Sequence, residues 1–574
     1  MKVSQTLFCT IKQISKDIEL KSHQYMLQAG LVRMNSSGIY TWLPIGLRVL
    51  NKIKKLIREE MDNSGAQEML MPSILPSSLL YETNRFDLFG EELLKIKDRS
   101  GKKFYYAPTH EECIVDVFRK ENRSYKSFPL NVYQIQTKFR DEIRPRFGLV
   151  RSREFIMKDS YSFHSNLKCL DKTYDKMHMV YSNILKRIGL EFRSVKASPG
   201  NIGGIETNEF QVLTKSGEDT IFSSDQSNYS ANIETAEYMI PGIFNKDINA
   251  TSVNDKTDLQ DIKYSDLCNI LFKKKIPIKK LIKFFIIKDA NNNFFTLILR
   301  SSYTINEYKV GKLNFIKKPF VFVKKEYSLD NSNDSGQYFN FINKNTSLII
   351  DFSAVLIEKI SFSNQKKLFN LKVSWEKEFK FLHIVDIRNV VEGDRSPDGK
   401  GFLYEKKGIE VGHIFKLGKK YSKSMGAKFL NKEGQKKSLL MGCYGLGVSR
   451  IVPAVIEQCH DKKGIIWPDS ISPFKIIILP VNMHNCPNVF KMSNFIYEKL
   501  IVHKLIRNDV LLYDRKTSPG VMFNDADLVG ITHQLIISRQ SLERNVIEYR
   551  CRRTKKIDFI SCNVESIISK IFNN

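Results

Sequence analysis

The chain has 574 residues, 42% hydrophobic and 26% charged, with a formal net charge of +28, so about three or four domains are expected rather than one core. Nine cysteines without a Cys-x-x-Cys pair argue against a disulfide framework, a zinc ribbon or another metal-ligand motif, and no apolar run approaches the ~20 residues of a membrane-spanning helix. The first residues, MKVSQTLFCTIKQ, lack a signal-peptide pattern, so we expect a cytoplasmic protein with no membrane partner.

Two helices and a short strand are predicted in the first third of the chain. Apolar residues recur at helical spacing from Leu47 to Met61. The segment from Glu68 to Met71 ends at Pro72 and is typical of an edge or interface strand, because proline cannot donate to a ladder. A second helix is predicted at about 170–188, before a turn rich in glycine at Gly200, Gly203 and Gly204.

The segment 139–164, FRDEIRPRFGLVRSREFIMKDSYSFH, carries the strongest chemical signal. Apolar and polar residues alternate just before it, from Tyr133 to Phe139, which predicts a strand with one apolar and one polar face. Arg140 and Glu142 continue the polar face, and Arg151 follows on a flexible loop. Because arginine offers planar bidentate donors to phosphate oxygens, these groups with the Phe155 ring favour a nucleotide triphosphate over a solvated surface hairpin.

The composition changes between about Ser224 and Lys407, where Asn, Lys and Phe become frequent and His is absent from His178 until His383. This change predicts a separate inserted domain, with strands at 294–299 and 347–352. The same lysine-rich bias leaves two explanations of the +28 charge open, namely RNA binding and a compositional drift of the whole proteome.

A glycine cluster follows the predicted strand 439–441. Gly442, Gly445 and Gly447 lead into a helix whose first turn carries Arg450. Glycine lets a backbone approach a ligand and a helix N-terminus favours anions; a plain tight turn would explain the glycines but not the arginine. Pro453 predicts a kink or a late start of this helix. After Pro473, a strand at 475–479 opens a final α/β unit.

Three motifs therefore occur in order: Pro72 after its helix and strand, FRDE with Arg151-x3-Phe155-x3-Asp159, and GLGVSR. Together they resemble motifs 1, 2 and 3 of the class II aminoacyl-tRNA synthetases. The segment Pro108-Thr109-His110-Glu111-Glu112, the insertion between motifs 2 and 3, GIEVGHIF at 408–415 and DRKTSPGVMFNDADLVGI at 514–531 narrow the resemblance to the bacterial-type prolyl-tRNA synthetases. Threonyl and seryl relatives share the three motifs, but the zinc ligands of the threonyl enzymes are not recognisable here, and neither group places an insertion at this point.

The resemblance covers essentially the whole chain and implies a multidomain α/β (α+β) protein. A class II synthetase antiparallel-sheet catalytic core is expected in residues 1–223 and 408–472, an inserted editing-like α/β domain in 224–407, and a C-terminal α/β anticodon-binding domain in 473–574. The implied activity is ligation of proline to tRNA(Pro) through prolyl-adenylate, with ATP and Mg²⁺ as cofactors. The implied assembly is a homodimer formed by the motif 1 helix and strand, with no DNA partner.

The resemblance also implies a role for individual residues. Arg140 would bridge the α-phosphate and the proline carboxylate, Glu142 would hold the adenine edge, and Phe155 would stack on the base. Arg151 and Arg450 would clamp the distal phosphates with Mg²⁺, so the catalytic residues are Arg140 and Arg450. The proline-binding set is Thr109, Glu111, Arg140, Gln211, His413 and Cys443, in which Thr109 and Glu111 hold the secondary ammonium. For Cys443, a small residue that merely lines the site is an equal alternative.

Two further sets of candidates lie outside the activation site. The anticodon-region candidates are Asp514, Arg515, Phe523 and Asp527, each of which could equally be structural. Lys283 and Asp351 match editing residues of the family. However, no proline occurs between Pro319 and Pro397, and the insertion has no His before His383, so the Gly-x-x-x-Pro loop and the editing-pocket histidine have no counterpart. We therefore expect weak or no clearance of alanine mischarged on tRNA(Pro).

Two rival functions belong to other classes. A non-catalytic RNA-binding regulator built on the synthetase fold would have lost the catalytic arginines, whereas Arg140, Arg151 and Arg450 are all present. A dedicated deacylase is disfavoured because the editing half is the part that departs from the family.

Overall fold

The computed structural model describes residues 1–15, 17–121, 124–143, 145, 147–240, 282–300, 302–328, 347–355, 359–364, 367–372, 382–504 and 506–572. The chain divides into two compact units. The first comprises Met1–Val195, Pro199–Asp219 and Lys407–Asn574, and the second comprises Lys196–Ser198 and Thr220–Lys406. The second unit is thus an insertion into the first, and the sequence analysis placed the insertion at 224–407.

The described helices are α1 Lys21–Gln28, α2 Pro44–Asn63, α3 Ser78–Glu82, α4 Glu111–Glu121, α5 Leu167–Ile188, α6 Glu307–Gly311, α7 Phe352–Val355, α8 Lys420–Ser424, α9 Val448–Gln458, α10 Pro487–Val502, α11 Pro519–Val529, α12 Arg539–Glu543 and α13 Val564–Phe572. The described strands are β1 Val32–Ser36, β2 Ile39–Trp42, β3 Gln67–Glu68, β4 Ile74–Pro76, β5 Lys95–Lys97, β6 Lys103–Tyr106, β7 Leu130–Phe139, β8 Glu154–His164, β9 Phe192–Lys196, β10 Glu206–Leu213, β11 Asp219–Ser224, β12 Ser230–Asn232, β13 Ile282–Lys288, β14 Phe294–Arg300, β15 Val321–Ser328, β16 Ser347–Asp351, β17 Lys359–Asn364, β18 Lys367–Lys372, β19 Leu382–Val385, β20 Leu403–Gly418, β21 Lys428–Leu430, β22 Lys436–Ser438, β23 Leu440–Leu446, β24 His460–Asp461, β25 Gly464–Ile465, β26 Ile476–Pro480, β27 Val510–Leu512, β28 His533–Ile537, β29 Val546–Cys551 and β30 Ile557–Ser561.

The catalytic sheet is the run of six neighbouring strands β10–β20–β23–β8–β7–β3 within a nine-stranded sheet. Neighbouring strands are antiparallel throughout, except for β3 and β7, which are parallel. The mainly antiparallel core implied by the resemblance is therefore confirmed. The hairpin β7–β8 and the pair β20–β23 lie side by side at the centre of the sheet, although they are distant in sequence.

Helices α2 and α5 pack on one face of this sheet, and both form where the sequence predicts them. In α2, Val49, Ile53 and Ile57 are fully buried at intervals of four residues, and proline occupies the first turn, where its missing N–H costs nothing. In α5, the Asn166 side chain accepts a 2.9 Å bond from the Cys169 amide, and Gly189 ends the helix in a left-handed conformation.

Helix α9 begins at Val448, so the predicted late start is wrong, and Pro453 lies inside the helix. A proline at this position removes the helical bond to the Ser449 carbonyl and costs about 3 kcal/mol in an exposed helix. Here both neighbours, Val452 and Ala454, are fully buried, and this apolar packing offsets the cost. The first turn of α9 therefore stays at the end of β23, where it carries Arg450.

The last part of the first unit is an α/β domain, as predicted. Its sheet has the order β27–β26–β28–β29–β30, with β26 parallel to both neighbours and the remaining pairs antiparallel. The N-terminal segment of the chain joins this domain, since Lys2 forms a parallel bridge with Leu512. Beside it, the aromatic ring of Phe8 contacts Tyr513 edge-on, with 6.1 Å between the ring centroids.

The second unit contains a five-stranded sheet in the order β15–β13–β14–β16–β19. The predicted strands 294–299 and 347–352 correspond to β14 and β16. Lys283 lies in β13, but its side chain is outside the described residues. Asp351 ends β16 and is fully buried. Its carboxylate accepts bonds from the Ser353 amide at 2.9 Å, the Ser353 hydroxyl at 2.5 Å and the Ile387 amide at 2.9 Å.

Candidate active site

One cavity of the first unit collects seven of the residues predicted for the activation site. It opens between the β7–β8 hairpin, strands β20 and β23, the start of α9 and the segment before α4. The predicted residues that line it are Thr109, Glu111, Arg140, Phe155, His413, Cys443 and Arg450. Glu142, Arg151 and Gln211 are outside this lining.

The β7–β8 hairpin forms the floor of the cavity. The predicted alternation is present, but the polar face is not solvated: Gln134 and Lys138 are fully buried. Strand β7 ends at Phe139, so the expectation that Glu142 continues the strand is wrong. The Glu142 amide instead bonds back to the Arg140 carbonyl at 2.8 Å in a turn. The turn lets the Glu142 carboxylate form a 2.9 Å ion pair with Arg151, whose side chain is 45% exposed.

Arg140 follows directly after β7 and is held in place from two sides. Its amide bonds to the Arg153 carbonyl at 2.9 Å, which extends the hairpin by one rung. Its Nη2 donates a 3.4 Å bond to the Pro108 carbonyl, and its guanidinium lies 5.3 Å from the Phe155 ring centroid. Burial lowers the pKa of Arg140, and the positive charge of Arg450 lowers it further. A cation under this strain is suited to binding an anion.

A carboxylate stands at the opposite wall. Glu111 is the first residue of α4 and is fully buried. The Thr109 hydroxyl donates to both of its oxygens at 2.8 and 2.7 Å, and the Cys443 thiol donates to Oε1 at 3.2 Å. Burial raises the pKa of Cys443 well above its ordinary value, as does the Glu111 charge, so the thiol keeps its proton and remains a donor.

A network of buried polar groups supports this wall from behind. The Lys138 ammonium contacts His110 Nδ1 at 2.6 Å and Asp159 at 3.0 Å. The Tyr161 hydroxyl donates to Asp159 at 2.9 Å and accepts the His110 amide at 3.0 Å. Burial and the neighbouring lysine lower the pKa of His110 to about 4, so at neutral pH its ring is uncharged and its Nδ1 accepts from Lys138. The segment that carries Thr109 is therefore fixed before any ligand binds.

Arg450 lies in the first turn of α9, as the glycine cluster predicts. Its Nη1 donates a 2.8 Å bond to the Glu410 carbonyl. The turn is tied to the hairpin because the Ser449 hydroxyl accepts a 3.0 Å bond from the Ile156 amide. Arg450 and Arg140 thus bring two guanidinium groups to one cavity, which suits a polyphosphate.

Two carboxylates and a histidine meet beside Arg450. Candidate ligand atoms of Glu209, Glu410 and His413 all lie within 4.8 Å of one another. Burial and the charge of Glu410 together raise the pKa of Glu209 to about 7. Burial also opposes ionisation of Glu410, but the bond and charge of His413 hold its pKa at about 2. Two neighbouring carboxylates repel each other when both are ionised, and a divalent cation bound to both would remove this repulsion.

Gln211 lies next to this cluster rather than in the cavity lining. Its amide group donates at 2.8 Å to Glu209 and at 2.8 Å to Asp219. Burial raises the pKa of Asp219 to about 6. Gln211 therefore orients two acidic groups, and its own Oε1 is buried without a hydrogen-bond partner.

The sequence analysis missed the acidic cluster and Arg85. Glu209 and His413 face each other in the antiparallel register of β10 and β20, so only strand pairing brings them together. A carboxylate two residues before Gln211, in a strand whose Phe210 and Val212 are apolar, was the one available signal. Arg85 is fully buried and contacts Glu111 and Glu112, and nothing in its local sequence marks it.

The anticodon-region candidates all contact the rest of their own chain. The Asp514 carboxylate accepts the Ser4 amide at 2.7 Å, and Arg515 donates to the Phe8 carbonyl at 2.9 Å. Phe523 packs against the main apolar core. Asp527 is buried and accepts a 3.1 Å bond from Gln534 and a 3.0 Å bond from Arg550.

Within the described part of the chain, no helix is long and apolar enough to cross a membrane.

Comparison with known proteins identifies the family of the chain. Residues 94–459 match the tRNA synthetase class II core domain (G, H, P, S and T), and residues 475–574 match the anticodon binding domain family. The proline–tRNA ligase of Francisella philomiragia is 49% identical over 559 residues, which cover 97% of this chain and 98% of the relative. The proline–tRNA ligase of Francisella tularensis subsp. novicida is 49% identical over 560 residues, with the same coverage of both chains.

Two solved structures have a similar fold. Prolyl-tRNA synthetase from Cryptosporidium parvum, complexed with halofuginone and AMPPNP, matches with a TM-score of 0.56 at 14% identity, covering 96% of this chain and 76% of that one. The Giardia lamblia enzyme in complex with prolyl-adenylate matches with a TM-score of 0.57 at 14% identity, covering 96% and 77%. Given the near-complete match to the Francisella sequences, the chain belongs to the proline–tRNA ligase family of class II aminoacyl-tRNA synthetases.

Proposed function

We propose that this chain activates proline with ATP and transfers the prolyl group to the 3′ end of tRNA(Pro). The observation that carries the proposal is the cavity itself, in which a buried carboxylate and hydroxyl, Glu111 and Thr109, oppose two guanidinium groups, Arg140 and Arg450. The ammonium of an amino acid would match Glu111 and Thr109, and its carboxylate would match Arg140. The phosphates of ATP would match Arg140 and Arg450.

Proline binding follows from the charges of the cavity. The secondary ammonium of proline donates to Glu111, whose carboxylate is held by Thr109 and Cys443. The carboxylate of proline turns to Arg140. His413, stacked on Phe415 with 3.9 Å between the ring centroids, closes the pocket around the proline ring. A flat ring wall suits the compact pyrrolidine side chain.

Activation needs positioning and charge stabilisation rather than a covalent enzyme intermediate. A proline carboxylate oxygen forms a bond to the α-phosphorus of ATP. The bond from that phosphorus to the bridging oxygen breaks, and its electron pair leaves with pyrophosphate. Arg140 neutralises the charge that develops on the α-phosphate, and Arg450 holds the departing phosphates. Phe155 stacks on adenine, with Glu142 and Arg151 at the outer side of the nucleotide.

The acidic cluster fits Mg²⁺, because carboxylate oxygens are the protein ligands that this ion prefers. Glu410 and Glu209 would hold it, and His413 would remain with the amino acid. The bound ion would neutralise phosphate charge next to Arg450. The local observation that supports this assignment is that candidate ligand atoms of Glu209 and Glu410 lie within 4.8 Å of each other, with the pKa of Glu209 raised by burial and by the Glu410 charge.

We propose a homodimer assembled through the motif 1 region. Strand β3 lies at the edge of the catalytic sheet, and just beyond it Leu70 is 76% exposed and Ile74 is 49% exposed. Apolar side chains beside an edge strand suit a second copy of the same surface. Sedimentation should give a dimer for the wild-type chain and a monomer for Leu70→Glu, while a dimeric Leu70→Glu would contradict this interface.

We propose that the inserted domain clears alanine from tRNA(Pro) weakly or not at all. Asp351 is one of two candidate editing residues. One of its carboxylate oxygens accepts a hydrogen bond from the Ser353 amide, and the other accepts one from the Ile387 amide. Deacylation of alanyl-tRNA(Pro) by the full chain should therefore be close to the uncatalysed rate. Robust hydrolysis that is blocked by Lys283→Ala would contradict the proposal.

Exchange of labelled pyrophosphate into ATP tests the main proposal. The rate should depend on proline and ATP, and threonine should not replace proline. No exchange with proline, or brisk exchange with threonine, would overturn it. We propose that residues 475–574 recognise the anticodon. The rate of aminoacylation of tRNA(Pro), compared with the rates for other tRNAs, measures this recognition.

A further inference from the structure

Arg85 is a deeply buried cation beside the cavity that is not assigned to either substrate. It follows the short helix α3, and its side chain is 1% exposed. Its Nη1 contacts Glu111 Oε2 at 3.2 Å and Glu112 Oε1 at 2.9 Å. The guanidinium carbon also lies 4.7 Å from the Phe89 ring centroid and 5.2 Å from that of Tyr421. An arginine in such a setting cannot lose its proton and cannot move.

The two carboxylates that share Arg85 are not equivalent. Glu111 receives donors from Thr109, Cys443 and Arg85, so both of its oxygens are bonded. Glu112 receives Arg85 and the Thr83 hydroxyl on Oε1, and its Oε2 is buried without a partner. The hydrogen bonds therefore favour negative charge on Glu111 rather than on Glu112.

The direction of the pKa shifts agrees with this hydrogen-bond count. Burial alone would raise the pKa of Glu111, but the Arg85 guanidinium and the Thr109 and Cys443 bonds hold it below its ordinary value. Burial and the charge of Glu111 raise the pKa of Glu112, despite Arg85. One cation thus stabilises one anion, and this anion is the one that faces the cavity.

We infer that Arg85 is a positioning residue for amino-acid binding: it fixes the Glu111 carboxylate and keeps it ionised to receive the proline ammonium. The inference rests on the proposed function, because it takes Glu111 as the group that binds the ammonium. Without Arg85, Glu111 would be a buried carboxylic acid beside a second one, and a neutral acid does not compensate an ammonium. Arg85 would then set the affinity for proline without touching proline.

The test compares Arg85→Gln and Arg85→Lys in pyrophosphate exchange. For Arg85→Gln, the KM for proline should rise at least about tenfold, since the ammonium loses its counter-charge, while the KM for ATP stays unchanged. The value of kcat/KM for proline should also fall as the pH is lowered from about 8 to about 6, because Glu111 now takes up a proton in this range. Arg85→Lys keeps the positive charge. It should therefore restore part of the affinity for proline and remove the loss of kcat/KM at low pH.

Arg552→Gln is the matched control. Arg552 is equally buried, with its side chain 2% exposed, and forms a 2.6 Å ion pair with Asp461 far from the cavity. Its loss should lower the free energy of unfolding and leave the KM for proline and the pH profile unchanged. If Arg85→Gln is folded and has the wild-type KM and pH profile, or if Arg85→Lys behaves like Arg85→Gln in both, the inference is wrong.

Misfolding and failure of the proposed function can both be told apart from this result. If Arg85→Gln does not fold, Arg85→Lys carries the test through its KM values: a raised KM for proline with an unchanged KM for ATP supports the inference, and a wild-type KM for proline contradicts it. If the wild-type chain itself shows no proline-dependent exchange, the proposed function fails first. In that case, the binding of proline measured by calorimetry decides whether Arg85 acts on amino-acid affinity.

Discussion

Arg450 contacts Glu410 at two different points. Its Nη1 donates a 2.8 Å bond to the Glu410 backbone carbonyl and lies 3.6 Å from the Glu410 carboxylate. Because the backbone bond holds the guanidinium by itself, the carboxylate is available for a cation. The same residue can therefore orient an arginine and bind a metal ion without exchanging one role for the other.

Replacing Glu410 with Gln should separate these two roles. The backbone bond to Arg450 survives the substitution, but a charged oxygen ligand is lost. We expect pyrophosphate exchange to fall at least about 100-fold, and a higher Mg²⁺ concentration should recover part of the rate. Exchange rates over a range of Mg²⁺ concentrations measure this, and a variant with wild-type Mg²⁺ dependence would rule out Glu410 as a ligand.

The affinity for Mg²⁺ should increase with pH. The pKa of Glu209 is raised to about 7 by burial and by Glu410, so at lower pH the ion must displace a proton. Half-saturating Mg²⁺ in the exchange reaction should therefore be lower at about pH 8 than at about pH 6.5. In Glu209→Gln, the half-saturating Mg²⁺ concentration should be higher and should change little with pH. If it changes with pH as steeply as in the wild type, the assignment of Glu209 is wrong.

Arg140→Ala should abolish activation, because the proposed function places Arg140 between the proline carboxylate and the α-phosphate. We expect at least about a 100-fold loss of exchange. Near-ultraviolet circular dichroism and binding of tRNA(Pro) should stay close to wild type, since the Arg140 side chain makes one 3.4 Å hydrogen bond, to the Pro108 carbonyl. A loss of tRNA binding equal to the loss of exchange would indicate a folding defect instead.

Lys158 predicts a pH dependence of stability. Its ammonium group is fully buried under the sheet, where it contacts the Tyr181 hydroxyl at 2.5 Å, and burial lowers its pKa to about 7. In the unfolded chain the lysine keeps its proton up to an ordinary pKa of about 10.4, so between these values the unfolded state binds more protons. This lysine therefore contributes stability that grows with pH, by at most about 1.4 kcal/mol for each pH unit.

Urea unfolding at about pH 7 and about pH 9 measures this effect, with Lys158→Met as the reference. The free energy of unfolding of the wild type, relative to the variant, should rise between the two conditions. Other groups titrate equally in both proteins and cancel. A relative free energy that stays constant or falls would mean that Lys158 remains protonated in the folded chain.

Arg515→Ala distinguishes RNA contact from structural support in the C-terminal domain. Arg515 donates to the carbonyls of Phe8 and Thr6 at 2.9 and 3.3 Å, so its loss should lower the free energy of unfolding by about 1–3 kcal/mol. The exposed neighbour Lys516→Ala serves as the control and should be neutral in stability. A raised KM for tRNA(Pro) with unchanged stability would instead favour a direct role of Arg515 in anticodon contact.

Much of the fold and of the cavity lining could be predicted from local patterns. The alternation of Tyr133 to Phe139 and the helical spacing from Leu47 to Met61 each occupy one short segment and correspond to β7 and α2. Thr109, Phe155 and Arg450 lie in motifs whose spacing carries the information, and they do meet in one cavity.

The remainder depends on contacts that no local pattern contains. Glu209 meets His413 only through the register of β10 and β20, and Arg85 meets Glu111 only through the packing of two helical segments. The end of β7 at Phe139 was missed because a bond from the Glu142 amide to the Arg140 carbonyl turns the chain there, and periodicity does not contain this bond. The late start predicted from Pro453 was wrong because propensity was given more weight than burial.

The pairing of β8 with β23 has a consequence for the order of folding. Tyr161 pairs with Cys443 across the centre of the catalytic sheet, and the whole second unit lies between these two positions in the chain. During synthesis, the β7–β8 hairpin therefore emerges long before its partner strands, and it carries buried polar groups that need them. Closing so long a loop is entropically costly and slow, so the inserted unit has time to fold first. The cavity for proline and ATP is thus among the last parts of the molecule to form, and its appearance marks the completion of the sheet.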